Sequence, residues 1–169
     1  MIDLKTVRQH LVVDDNLDDR ILEGYRDAAL ECVEEDVGRV IKQRSFTDEF
    51  DSFALICLNT PVATVSEIRY IDQLGATQVL SASVYTVITG LNGSVEIQMD
   101  QSWPSAQKVM VDYSAGYTVA SLPRKLWLAI LKKTLDFYEN RESHEFVKGG
   151  QCNAAYLSLI RGYQKDLVR

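Results

Sequence analysis

Apolar positions change period twice along the chain. From Asp3 to Val37 they recur every three or four residues, from Val40 to Tyr117 they mostly alternate, and from Pro123 onward the helical period returns. The first stretch predicts a short helix over 3–10, with Asp3 as cap and Leu4, Val7, His10 and Leu11 on one face. A longer helix is expected over 17–37, capped by Asp15 or Asn16. Its inner face is Leu17, Ile21, Leu22, Tyr25, Ala28, Ala29, Cys32 and Val33, and Gly38 ends it. The middle predicts strands at 40–47, 53–58, 65–72, 78–89, 94–98 and 108–114. Asn59-Thr60-Pro61, Gln73-Leu74-Gly75 and Asn92-Gly93 supply turn chemistry between them.

Pro123 suits the first turn of a third helix over 123–141, where its missing N–H costs nothing. Ser121 or Leu122 would cap it. Leu126, Trp127, Ile130, Leu131, Thr134, Phe137 and Tyr138 fall together, with Leu128 and Leu135 beside them. This sector is wider than the ~100° stripe of an ordinary surface helix. Either the helix is sunk in its own core, or it packs on its core and on a neighbouring subunit. Residues 143–153 contain Gly149-Gly150 and few apolar side chains, which reads as a hinge before a terminal helix over 154–168. Such a helix gains order by docking, on its own core or on a partner. The fold class is therefore α+β. The N- and C-terminal helices form a small bundle joined to a β-rich antiparallel middle. A single domain is expected over 1–142, followed by a hinged helical segment over 143–169.

Composition narrows the function more than the fold. The chain has 169 residues, 46% hydrophobic and 25% charged, enough for one ordinary globular core. No apolar run approaches the ~20 residues of a membrane span. The charged start MIDLKTVRQHL does not read as a signal peptide. Cys32, Cys57 and Cys152 are odd in number and widely spaced, which fits a reducing cytoplasm. The net charge of −6 is uneven: residues 1–60 carry 14 acids and 7 bases, whereas 123–169 carry 5 acids and 9 bases. That polarity is either solvated surface or a basis for head-to-tail contacts between copies. The acidic balance disfavours tight phosphate binding.

Motif chemistry is sparse. The sequence has no Walker, GxGxxG or GxSxG pattern. Asp14, Asn16 and Asp18 imitate a calcium loop, but Asp19 stands where Gly is needed and Tyr25 where a bidentate Glu is needed. His10 and His144 sit in no zinc spacing, and no carboxylate pair is placed for acid/base work. No catalytic residue, metal or cofactor is expected. Glu34, Glu35 and Asp36 crowd the C-terminal end of the second helix, against the dipole. A basic group from the segment after Pro123 would offset them, unless the cost is simply tolerated. Trp103-Pro104 is either a surface anchor or the cover of a core edge.

Four segments in order carry a family resemblance. They are VVDDNLDD before the long helix, LNTPVATVSEIRYIDQLGATQVLSASVYTV, WPSAQKVMVDYSAGY, and LPRKLWLAILKKTLDFYENRE. Together they resemble the head–tail connector (adaptor, head completion) family of tailed phages over most of residues 3–142. Asn59-Thr60-Pro61 departs from the Pro-rich turn common there, and 143–169 matches no motif. The resemblance implies a non-enzymatic structural subunit of a homo-oligomeric ring, commonly twelvefold, in the virion neck, assembled in the host cytoplasm. Its partners would be the portal protein above and a tail or stopper protein below. DNA would be passing cargo only, and no membrane is involved. Interface residues are expected among Glu34, Glu35, Asp36, Trp103, Lys132, Lys133, Arg141, Tyr156 and Tyr163. An acidic protein-binding regulatory module, monomeric or dimeric, is the alternative. An enzyme with a convergent carboxylate site is a third reading.

Overall fold

A computed structural model describes residues 2–12, 19–90, 95–99, 101–139 and 154–164. Its elements run α1 (Leu4–Leu11), α2 (Asp19–Val37), β1 (Arg44–Phe50), β2 (Val62–Ile71), β3 (Thr77–Leu80), β4 (Tyr85–Thr89), β5 (Val95–Met99), β6 (Lys108–Ala115), α3 (Arg124–Glu139) and α4 (Ala154–Ile160). The expected α+β class holds, with antiparallel sheets and helices flanking the β-rich middle. The chain divides into two compact units, Met1–Arg39 with Thr118–Arg169, and Val40–Tyr117. Each is described by itself.

The helical unit is built on local signals that the sequence displays. Asp3 caps α1 by accepting the Thr6 amide at 2.6 Å, and this bond holds its carboxyl below the usual carboxylate range. Gly38, with φ +64°, ends α2. The Gly38 amide donates to the Glu35 carbonyl and the Arg39 amide to that of Glu34, the paired bonds of a Schellman cap. Leu22, Ala29, Leu30, Val33 and Val37 of α2 are buried, as are Leu126, Ala129, Ile130 and Leu131 of α3. α2 packs on α3, and α4 packs on both. Burial of each large aliphatic side chain here contributes roughly 1.5–3 kcal/mol. Thr134, also buried, is satisfied through its hydroxyl, which donates to the Ile130 carbonyl at 2.8 Å.

In the β unit, a four-stranded antiparallel sheet has the order β1-β6-β2-β3, and β4-β5 forms a separate hairpin. β6 is central and alternates strictly, with Val109, Val111, Tyr113 and Ala115 inward. Phe46 of β1 and Val65 of β2 sit opposite Tyr113, so the three strands share one inner face. Register shifts in β2 mark irregularities between Val62 and Thr64 and between Val65 and Glu67. The hairpin's Tyr85, Val95, Ile97 and Met99 pack against the same core as the sheet's inner face.

Three expected strands are corrected. Residues 53–58 make a 3-10 turn (Phe53–Leu55) and then irregular chain, because Phe53 and Leu58 anchor singly in the core without a ladder partner. The stretch 78–89 is not one strand. Ser81 and Ser83 bond side chain to side chain at 2.9 Å, the Val84 amide donates to the Ser81 carbonyl, and this turn separates β3 from β4. The first strand starts at Arg44 rather than Val40, and 40–43 instead follow a backbone crossing.

At that crossing the Tyr117 amide donates to the Ile41 carbonyl, the Gly116 amide to that of Pro61, and the Val40 amide to that of Thr60. Gly116 has φ +105°, and a Cβ there would lie 2.7 Å from the backbone nitrogen of Gln43. Only glycine fits such an approach. Gly116→Ala should therefore cost at least about 3 kcal/mol in urea unfolding, at the far end of the single-substitution range. A loss below about 1 kcal/mol would show that the strands can separate freely. A contrasting prediction concerns Val12, a β-branched residue at φ +54° that closes α1 while 90% exposed. The left-handed region costs a residue with a Cβ about 1–2 kcal/mol. Val12→Asn should raise stability by about 1 kcal/mol, read as a higher urea midpoint at unchanged slope.

Candidate functional site

At the acidic end of α2, three of the nine expected interface residues meet. Asp36 Oδ2 accepts a hydrogen bond from the Tyr156 hydroxyl of α4 at 2.5 Å, and Gln164 Nε2 donates to the Asp36 carbonyl at 3.3 Å. Tyr156 is buried. The Lys133 ammonium of α3 lies 5.4 Å from the Tyr156 ring centroid and 5.9 Å from that of Phe137. Lys133 comes from the segment after Pro123, where a basic group offsetting these acids was expected, but its contacts are with aromatic rings. Its place is over the ring whose hydroxyl holds Asp36. Burial first, and then the bond to Asp36, push the Tyr156 hydroxyl far above the ordinary tyrosine value.

The remaining candidates are scattered. Glu34 is half-buried and Glu35 exposed on α2, and both lend backbone carbonyls to the Gly38 cap. Lys132 is half-buried on the outward side of α3. Tyr163 is half-buried in the turn after α4, where its amide donates to the Ile160 carbonyl at 2.8 Å. Arg141 lies outside the described residues. Trp103 belongs to the β unit, stacked on Phe53 with centroids 4.5 Å apart and planes at 14°, where it covers a core edge. The structure thus brings Asp36, Lys133 and Tyr156 together and leaves the other described candidates dispersed.

One polar cluster escaped the sequence reading. Tyr113, buried at the centre of β6, donates to Asp48 Oδ2 at 2.5 Å. It accepts from the Asn59 amide at 3.0 Å and from Asn59 Nδ2 at 2.8 Å, while Phe46 stacks on its ring. Burial and the Asp48 carboxylate push its hydroxyl up to about 12. The parity of β1 carried the signal: Asp48 shares the inward positions of Phe46 and Phe50, and an inward acid needs a partner. On the opposite side of the sheet, Asp112 accepts from the Thr47 hydroxyl and from Arg69 Nη2, each at 2.5 Å. Those contacts, Thr47 first, hold its carboxyl low. Among the described residues no group of three or more His, Cys, Asp or Glu is placed to hold a metal ion, and no helix is long and apolar enough to cross a membrane.

Both tyrosine networks are load paths of the fold, with donors matched to acceptors. Tyr156→Phe and Tyr113→Phe should each cost about 1–2 kcal/mol, because each loses a hydroxyl bonded to a carboxylate, and in Tyr113→Phe also the acceptor of the Asn59 amide. Tyr113 also predicts a pH dependence. An unfolded tyrosine ionises near 10 and the folded one near 12. The folded chain holds the proton more tightly in between, so this stability is complete below pH 10 and is lost as pH climbs to about 12. The melting temperature should fall through that window, and Tyr113→Phe should make the fall shallower.

No family model and no curated protein matches the chain. Solved structures do match it in fold. A chain from the neck of an empty gene transfer agent (GTA) particle computed with C6 symmetry has a TM-score of 0.77 at 21% identity, covering 99% of this chain and 91% of that one. A chain from the virion of a native gene transfer agent particle has a TM-score of 0.79 at 20% identity, with 99% and 91% covered. A third, from the neck of a native GTA particle computed with C12 symmetry, gives 0.74 at 22% identity, with 98% and 90% covered. The resemblance to connector proteins read from the motifs is thus matched, at the level of fold, by chains of a phage-like neck.

Proposed function

We propose that this chain is a structural subunit of the neck of a tailed-phage-like particle, a head–tail connector that assembles as a ring. The fold match over nearly the whole chain carries this reading, since the similar chains come from particle necks computed with C6 and C12 symmetry. The four sequence motifs support it independently. In this role the ring docks on a portal protein, meets a tail or stopper protein on its other side and leaves a lumen for DNA. Localisation follows: the virion neck, after assembly in the host cytoplasm. No catalysis is required. The net charge of −6 suits a channel that must not grip phosphates. Ring closure needs a heterologous interface, in which two different surfaces of one chain meet.

Solution mass decides between this reading and an acidic regulatory module. Light scattering across a concentration series, alone and with cognate portal protein, should show a closed ring or portal-dependent assembly. A chain that stays monomeric or dimeric and ignores portal would overturn the connector role in favour of the module.

A further inference from the structure

Resting on the ring reading, we infer which surfaces of the helical unit join neighbouring copies: an exposed seam on α2 receives a seam on α3 of the next copy, the two helices antiparallel. Both seams lie away from the faces that build the core. On α2, Ile21, Gly24, Ala28, Glu31 and Glu35 are all exposed and follow one another at intervals of three and four residues. On α3, Lys125, Leu128, Lys132, Leu135 and Glu139 follow the same intervals. That spacing is the 3.5-residue repeat with which one helix meets another. The buried residues of these helices, such as Leu22, Ala29 and Val33 or Leu126, Ile130 and Thr134, occupy other positions on the wheel.

The two seams are complementary in shape. Ile21 is 48% exposed, and a Cβ placed on Gly24 would meet nothing within 4 Å. Gly24 and Ala28 therefore leave a shallow groove open outside the chain's own core. On α3, Leu128 and Leu135 project on the outward side and remain half-buried. They supply the ridge such a groove accepts.

Charge then fixes the direction. The α2 seam is apolar in its first half and acidic in its second, at Glu31 and Glu35. The α3 seam is basic at Lys125 and Lys132, at its start and its middle. In an antiparallel register, Glu35 falls opposite Lys125 and Gly24 opposite Leu135, while Lys132 falls opposite Ala28, within one turn of Glu31. A parallel arrangement instead sets Lys125 against Ile21 and brings Glu139 to Glu35. Glu31, Glu35, Lys125 and Lys132 make no side-chain ion pair among the described residues, so the copies bring together charges that the single chain leaves apart. The contact is heterologous, as closure of a ring demands. It also gives a role to Glu35 and Lys132, which the fold of one chain leaves unexplained.

The test uses charge exchange in the full chain, with mass read by light scattering and rings counted by electron microscopy, with and without portal protein. Glu31→Lys with Glu35→Lys, and separately Lys125→Glu with Lys132→Glu, should each weaken self-association by roughly tenfold or more. Mixing the two double variants should restore assembly, because each then meets a complementary seam. Gly24→Leu should raise the melting temperature of the isolated chain, a leucine being the better helix former, and yet block assembly by filling the groove. Variants that assemble as well as the wild type, or a mixture that fails where the wild type succeeds, would overturn the seam while leaving the ring intact. A wild type that never assembles overturns the ring and the seam together.

Discussion

The β unit depends on one close approach of backbone to backbone. Where the chain leaves β6, Gly116 passes within 2.7 Å, measured from the position a Cβ would take, of the Lys42 and Gln43 main chain. The hydrogen bonds there tie residues 40–43 and 60–61 to 116–117. Segments far apart in sequence are thereby held side by side at the point where the chain enters and leaves the unit. Closing so long a loop is entropically costly. The glycine lets the backbone bonds form at full strength, with the sheet register following from them. Tyr113, three residues earlier, extends the same constraint inward by tying β6 to Asp48 of β1 and to Asn59.

The parts legible in the sequence were those fixed by local chemistry. Asp3, Gly38 and the turn around Gly75 behave as their residue types dictate, and α2, α3 and β6 lie close to where their periodicity placed them. The errors fall where tertiary contact overrules the local pattern. Phe53 and Leu58 look like strand residues, but each is a single anchor into the core. The Ser81–Ser83 turn has no Gly or Pro to announce it. For the candidate surfaces, the cluster at Asp36 was half legible. The crowded carboxylates signalled that something must meet them, yet a phenol hydroxyl does so, under a lysine that stacks on the ring. No local pattern pairs residue 36 with residue 156.

The groups whose protonation is most disturbed also bear on function. Strong shifts in a cleft often mark catalysis. Here they belong to Tyr113 and Tyr156, each buried and donating to a carboxylate. A hydroxyl already committed to a partner inside the core is an internal strut rather than a reagent. The exposed outer face of the sheet is likewise internally paired, through Thr47, Asp112 and Arg69, and through Lys108 with Glu49. Its polar groups are spent on one another, which suits a scaffold.

The charges left outward along the helices are a different case. An i, i+4 row of like charges destabilises a helix by a few tenths of a kcal/mol per pair. Glu23, Asp27, Glu31 and Glu35 form such a row on α2, all exposed, and Arg26 forms an ion pair with Asp27. Within one chain this arrangement works against folding, at a helix end whose dipole already disfavours anions. An outward lysine pair on α3 gains nothing from it in the monomer either. Under the proposed assembly, a second copy would present one feature to the other, and the small cost that the single chain carries would be removed there.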